Sequence, residues 1–195
     1  VKAYTNGDRF VEVPRHKTFT SHYHIEHTTR LLESREKLTG SVAAEVVNTS
    51  RRTGQNWRYS VKRPPKEWMQ PSFDDQKWKR GKGGFGKKGT PSLRFGTDWE
   101  TQDIWLRRIF TLQESPKDKL KFSLLYDEDT EVYLNGVLAA SVRGFSKIYR
   151  EVPISPEALK TLKKGENLLA VHCWNDGGGQ AIDVGLVRPM KISRP

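Results

Sequence analysis

An all-β sandwich of the jelly-roll kind, with one short helix and an N-terminal extension, is the fold this sequence predicts. Three observations predict it. Apolar and polar residues alternate through most of the chain after Asn56, Asn135-Gly136 joins two alternating runs, and a strong helix start and stop frame only the short stretch from Ser155 to Gly165.

The elements follow in order. Trp57, Tyr59 and Val61 alternate with Arg58, Ser60 and Lys62, a half-buried strand that Pro64 and Pro65 end. Residues 66–100 read as a long irregular loop punctuated by glycines, and a loop of that length is usually functional or packed by its own aromatics. Ile104–Leu112 is a strand, and Leu120, Phe122, Leu124 and Tyr126 give another with one buried face. Asn-Gly suits the left-handed dihedrals of a tight turn, so Glu131–Leu134 and Val137–Val142 form a hairpin. Ile148–Ile154 adds a strand. Ser155, Pro156 and Glu157 supply a cap, a first-turn proline and an early acid for a short helix that Gly165 closes. Leu168–Trp174 and Ala181–Val187 are the last strands. About eight strands with one helical crossover describe a jelly-roll.

Residues 1–45 read differently. They hold short alternating pieces around Phe10, Val11 and Val13 and a possible helix over Thr29–Leu38. The chain is therefore divided into an extension, or the end of a preceding domain, over 1–45 and a sandwich over 46–195. It begins at Val1 with no charged-then-apolar leader, which reads as a trimmed or processed chain.

Composition narrows the function classes. The one cysteine, Cys173, excludes an internal disulfide framework and a four-cysteine zinc site, and in its apolar run it reads as a buried thiol. No run approaches the roughly 18 apolar residues of a membrane helix. The net charge of +11 is concentrated in the middle: residues 46–125 carry eighteen Lys and Arg against eight Asp and Glu. Between Asp75 and Asp98 there is no acid, while Lys77, Lys79, Arg80, Lys82, Lys87, Lys88 and Arg94 all fall there. Such a loop can steer an anion, with Lys82, Lys87 and Lys88 as the steering residues, or be a solvated surface; if the partner is a glycan, the loop favours an acidic one, sulfated or uronic, over a neutral one. The charge does not point to nucleic acid as the partner, because no nucleic-acid motif accompanies it and the last third is balanced.

Several runs then carry a resemblance. Trp68–Trp78 with Pro71, Phe73, Asp74 and Asp75, Gly83–Gly86, Asp103–Arg108, Tyr126–Gly136, Gly165–His172 and Gly178–Gly185 together resemble the galactose-binding-like, sugar-binding jelly-roll domain of family-2 glycoside hydrolases and related accessory domains. The likeness covers roughly residues 55–190. It implies a non-catalytic carbohydrate-binding or accessory module beside a neighbouring catalytic domain, in a secreted or periplasmic protein, with no cofactor. The fold hosts structural spacers as well, so the motifs fix no activity.

Sugar binding needs an aromatic face and a few planar polar groups. Trp99, Trp105 and Trp174 lie at strand ends or loops where platforms sit, and Tyr149, Asn175, Asp176 and Gln180 are their polar neighbours. Core or rim packing is the alternative for each tryptophan. Arg107 and Arg108 point to opposite faces, so one of them faces inward. It either pairs with a carboxylate, with Asp127, Asp129 and Asp183 available, or clamps a ligand, the role given to Arg107. Gly83–Gly86 lets backbone pass close to another surface with Phe85 as a plug, or leaves a groove floor open. His22, His24 and Glu26 would share one face of a strand but match no zinc signature, so no metal is assigned. The acid pairs Asp127/Asp129 and Asp74/Asp75 read as turn caps rather than a catalytic pair, which leaves a small glycan-active enzyme as the weakest reading.

Overall fold

The computed structural model describes residues 44–116 and 120–189, together with the backbone of two strands, β1 (Lys2–Tyr4) and β2 (Phe10–Glu12). The chain divides into two compact units, Val1–Val42 and Ala43–Pro195. In the first, β1 and β2 pair antiparallel. The candidate helix Thr29–Leu38 and the residues His22, His24 and Glu26 lie outside the described residues.

The second unit is a two-sheet sandwich. Its strands are β3 (Ala44–Val47), β4 (Asn56–Ser60), β5 (Lys79–Lys82), β6 (Phe85–Gly86), β7 (Thr97–Asp98), β8 (Asp103–Leu112), β9 (Lys121–Asp127), β10 (Asp129–Leu134), β11 (Val137–Val142), β12 (Arg150–Pro153), β13 (Gly165–Trp174) and β14 (Ala181–Arg188). One sheet runs β11-β10-β13-β8-β4-β5. The other runs β12-β9-β14-β6-β7, with β3 also paired to β14. All pairings are antiparallel except the short β6–β7 contact. The one α-helix among the described residues of this unit, α1 (Pro156–Leu159), has Ser155 as its cap, accepting from the Ala158 amide at 3.3 Å.

The alternation read from the sequence is the inward face of these strands. Ile104, Leu106, Phe110 and Leu112 of β8 meet Phe122 and Leu124 of β9 and Ile182, Val184 and Leu186 of β14 in one core. Asn135 and Gly136 both take positive φ, 48° and 90°, in a two-residue turn between β10 and β11. Cys173 is fully buried in this core, and burial pushes its thiol up to about 12.

Residues 66–100 differ from the expected irregular loop. They contain a 3-10 turn over Lys66–Met69 and the strands β5, β6 and β7. These strands are two to four residues long and rich in glycine, too short to show a period of two. At Gly84 (φ +87°) a Cβ would lie 1.9 Å from the Arg94 carbonyl oxygen, and at Gly86 one would lie 2.1 Å from that of Gln180. The glycines therefore serve close backbone approach, with Phe85 buried as the plug against Tyr59.

A second apolar cluster lies on the outer face of the first sheet. Trp68, on the 3-10 turn, packs with Trp105, Leu168 and Ala170 of the sheet, and Phe73, Trp78 and Tyr133 close around it. The segment 61–78 thus covers the centre of that face and leaves both ends open.

Candidate functional site

Strand parity decides what the open ends display. On β13, Leu168, Ala170, His172 and Trp174 share the outward face. Cross-strand pairing sets Glu131 of β10 beside His172, and His172 beside Trp105 of β8. Trp174 stands between Asp129 of β10 and Asp103 of β8. A cleft of about 880 Å³ lies over this row, between the β10–β11 hairpin and the 63–69 segment.

The floor is tightly organised. The His172 and Trp105 rings stack at 4.8 Å and 4°, and His172 Nε2 lies 2.6 Å from Asp103 Oδ1. That contact fixes the plane of the imidazole. Arg143 donates to Asp129 Oδ2 at 2.7 Å, and the Gly144 amide to Asp129 Oδ1 at 2.8 Å. Glu131 accepts from the Tyr133 hydroxyl at 2.7 Å, and burial together with that carboxylate raises the Tyr133 phenol. Trp174 is 37% exposed, an open indole among two carboxylates, an arginine and an imidazole. An apolar ring face beside planar polar groups of fixed orientation is the chemistry that grips a sugar ring.

Of the residues predicted for ligand binding, Trp105 and Trp174 come together here. Trp105 is nearly buried and gives its face to His172, so it is floor rather than platform. The rest are elsewhere. Trp99 is 1% exposed in the core, its Nε1 donating to Thr101 Oγ1, which leaves no face for a ligand. Gln180 is buried and donates to the Thr101 carbonyl at 2.7 Å. Asn175 accepts from the Gly177 amide at 2.8 Å, holding its own turn. Asp176 is exposed in the same loop and adds to the charge that, after desolvation, raises the Glu128 carboxyl. Tyr149 donates to Asp183 Oδ2 at 2.5 Å under the Arg51 guanidinium.

Arg107 corrects another expectation. It points outward under the 61–78 segment, and its partner is Asp75 rather than Asp127, Asp129 or Asp183. Nε donates to Asp75 Oδ2 at 2.8 Å, and the other nitrogens to the carbonyls of Trp68, Gln70 and Phe73. Four of its five N–H donors are used on the loop, so it clamps protein rather than ligand. Arg108 is the inward arginine. It donates to the Asn48 carbonyl and Gln55 Oε1, both at 2.8 Å, and desolvation lowers its pKa against the charge of Asp183. The acid pairs also have local work: Asp74 accepts from the Gln76 amide, and Asp75 and Asp129 hold arginines.

Lys82 donates to Asn56 Oδ1 and Lys87 to the Gly178 carbonyl, while Lys88 is exposed. Among the described residues no cluster of three or more His, Cys, Asp or Glu could hold a metal ion, and no helix is long and apolar enough to cross a membrane.

The sequence reading missed His172, Asp103, Glu131 and Arg143. The signal for His172 was present, since it shares parity with Trp174. Arg143 and Asp129 needed the hairpin register.

Comparison with known proteins places the fold. No protein-family model and no curated protein matches the sequence. Among solved structures, a glycosyl hydrolase family 2 member from Bacteroides cellulosilyticus aligns with a TM-score of 0.50 at 16% identity, covering 69% of this chain and 20% of that one. Bacteroides uniformis β-glucuronidase 2 aligns with a TM-score of 0.50 at 17% identity, over 72% of this chain and 18% of that one. The chain spans about a fifth of the length of these enzymes, and its β-sandwich is a fold that occurs as one part of family-2 glycoside hydrolases.

Proposed function

We propose that this chain is a non-catalytic, carbohydrate-binding accessory module of a larger glycoside hydrolase-type protein, working beside a neighbouring catalytic domain. The observation that carries the reading is the open Trp174 ring set between Asp103 and Asp129, with His172 held in plane by Asp103. Aromatic stacking takes the apolar face of a sugar, and the fixed carboxylate, imidazole and guanidinium groups take its hydroxyls. A secreted or periplasmic location goes with this role. Titration of the chain with a panel of neutral and acidic polysaccharides tests it. Binding that Trp174→Ala weakens about tenfold supports the cleft, and the absence of any glycan binding sinks it.

A spacer without ligand is the second reading. It is favoured by Trp99, Arg107 and Gln180, residues of sugar-binding type whose polar groups are all spent on protein. Glycan binding that requires Trp174 excludes the spacer.

A further inference from the structure

The opposite end of the same outer face has a different chemistry. Arg80 of β5, Arg58 of β4 and Arg107 of β8 are direct cross-strand neighbours, Arg80 to Arg58 and Arg58 to Arg107. Directly opposed side chains on one face sit with Cβ atoms ~4.5–5.5 Å apart, and like charges so placed repel. One carboxylate serves the row: Asp75 binds Arg58 Nε at 3.1 Å and Arg107 Nε at 2.8 Å. Arg80 is exposed and has no hydrogen-bond or ion-pair partner among the described residues.

The β4–β8 ladder stops at the Arg58–Arg107 pair. Beyond it a groove of about 520 Å³ opens between Asn56 and Trp57 on one side and Arg108 and Ile109 on the other. Lys82 lines it and meets only the neutral Asn56 side chain, and Arg108 meets only neutral oxygens. Apart from Arg108, which also feels the charge of Asp183, four cations thus face one carboxylate around a groove large enough for a sugar residue, with Ile109 half exposed as an apolar patch.

Edge protection accounts for the charges of β5, which is the last strand of its sheet. It does not account for Arg58 and Arg107, which lie on interior strands, or for setting Arg80 directly against Arg58. An oxyanion in the groove would balance that repulsion, and guanidinium forks match carboxylate and sulfate groups.

We propose that the groove between β4, β5 and β8 binds an oxyanion-bearing sugar residue of an acidic polysaccharide, received by Arg80, Arg58 and Lys82. This rests on the glycan-binding reading but uses a different site from the Trp174 cleft.

The test is calorimetric titration of the whole chain with heparin oligosaccharides, a matched neutral oligosaccharide and a poly-glutamate of similar charge, at two salt concentrations. Arg80→Ser/Lys82→Ser removes the two exposed cations and leaves the Asp75 clamp intact. The expected result is heparin binding that weakens tenfold or more in this variant, with a shallower salt dependence, while Trp174→Ala leaves it within twofold. Heparin affinity unchanged in the double variant overturns the groove. Equal affinity for poly-glutamate overturns the sugar assignment and leaves an unspecific cationic surface. Neutral-sugar binding lost on Trp174→Ala, with no heparin binding, overturns the groove while sparing the glycan reading. No binding to any sugar overturns both.

Discussion

The two open ends of one sheet face differ in how their polar groups are balanced. At the β10–β13 end the charges balance: three carboxylates, Asp103, Asp129 and Glu131, line the cleft with three cations, Arg63, Lys66 and Arg143, and each carboxylate has a partner, His172, Arg143 and the Tyr133 hydroxyl respectively. At the β4–β5 end cations outnumber acids and Arg80 stands unpaired among the described residues. A balanced, aromatic site selects by shape and hydrogen bonding. An unbalanced one acts by charge, at longer range and with a dependence on salt. The segment between them, 61–78, is pinned to the sheet by Arg107; its first part walls the cleft and its Asp75 lines the groove.

The largest expected effect falls on that divider. Arg107 is almost fully buried, and Arg107→Ala leaves Asp75 with Arg58 alone and removes a donor from the carbonyls of Trp68, Gln70 and Phe73. Breaking a buried pair by removing one partner costs about 3–5 kcal/mol. Urea denaturation should register a loss of that size, whereas Arg80→Ser should stay within about 0.5 kcal/mol of the parent. If Arg107→Ala is as mild as Arg80→Ser, the clamp is not what separates the two ends.

Next comes the aromatic end. Trp174→Ala should lower glycan affinity about tenfold, equivalent to about 1.4 kcal/mol, with the salt slope retained because stacking releases no counterions. Titration at low and high salt reads both quantities. A change of slope in this variant would mean that charge, not the ring, governs the cleft.

These expectations follow from features that were unequally visible in the sequence. Period-two alternation showed β4 and β9, because a strand with one buried face writes its register into residue type, while β8, β13 and β14 stood out as apolar runs, the last buried along nearly its whole length. The hairpin at Asn135-Gly136 was equally plain, since only that turn chemistry fits two positive φ values. Arg107 and Arg108 were rightly assigned to opposite faces, but the partner of Arg107 lies 32 residues earlier, in a stretch with no periodicity. Trp99 looked like a loop platform for the same reason: β6 and β7, which carry its neighbourhood into the core, are two residues long. The arginine row could not be read at all before the β4–β5 and β4–β8 registers were known. Local pattern reveals which way a side chain points, and only pairing reveals what it meets.

A third experiment concerns Arg108, whose charge is shared between the groove and Asp183. Burial raises the Asp183 carboxyl above the usual carboxylate range, against hydrogen bonds from Tyr149 and Ser50 and the charge of Arg108. Its Oδ1 has no hydrogen-bond partner among the described residues. With the folded pKa above the unfolded one, its contribution to stability is fully present below the ordinary value near 3.9 and is lost as pH rises through the raised folded pKa. Asp183→Asn should flatten that decline, which for one group is at most about 1.4 kcal/mol per pH unit. Thermal unfolding between pH 4 and 8 measures it. An unchanged slope would show that Asp183 stays ionised in the fold and holds Arg108's charge away from the groove.

The smallest effect is expected from Lys87 and Lys88. Both are exposed, and Lys87 Nζ donates to the Gly178 carbonyl at 3.2 Å. Neither lines the cationic groove, so they act on an anion through the field alone. Exposed charges reach about one Debye length, ~8 Å at physiological salt and ~3 Å at 1 M. Lys87→Ser/Lys88→Ser should therefore leave unfolding within about 0.5 kcal/mol of the parent. It should weaken an acidic glycan only a few-fold at low salt, mostly in the association rate, and not at all near 1 M. Stopped-flow binding at both salt concentrations separates this from Arg80→Ser/Lys82→Ser, whose loss should include faster dissociation because those groups would touch the anion. If the two double variants behave alike, the positive charge works as a diffuse surface, and the distinction between a groove and its approach disappears.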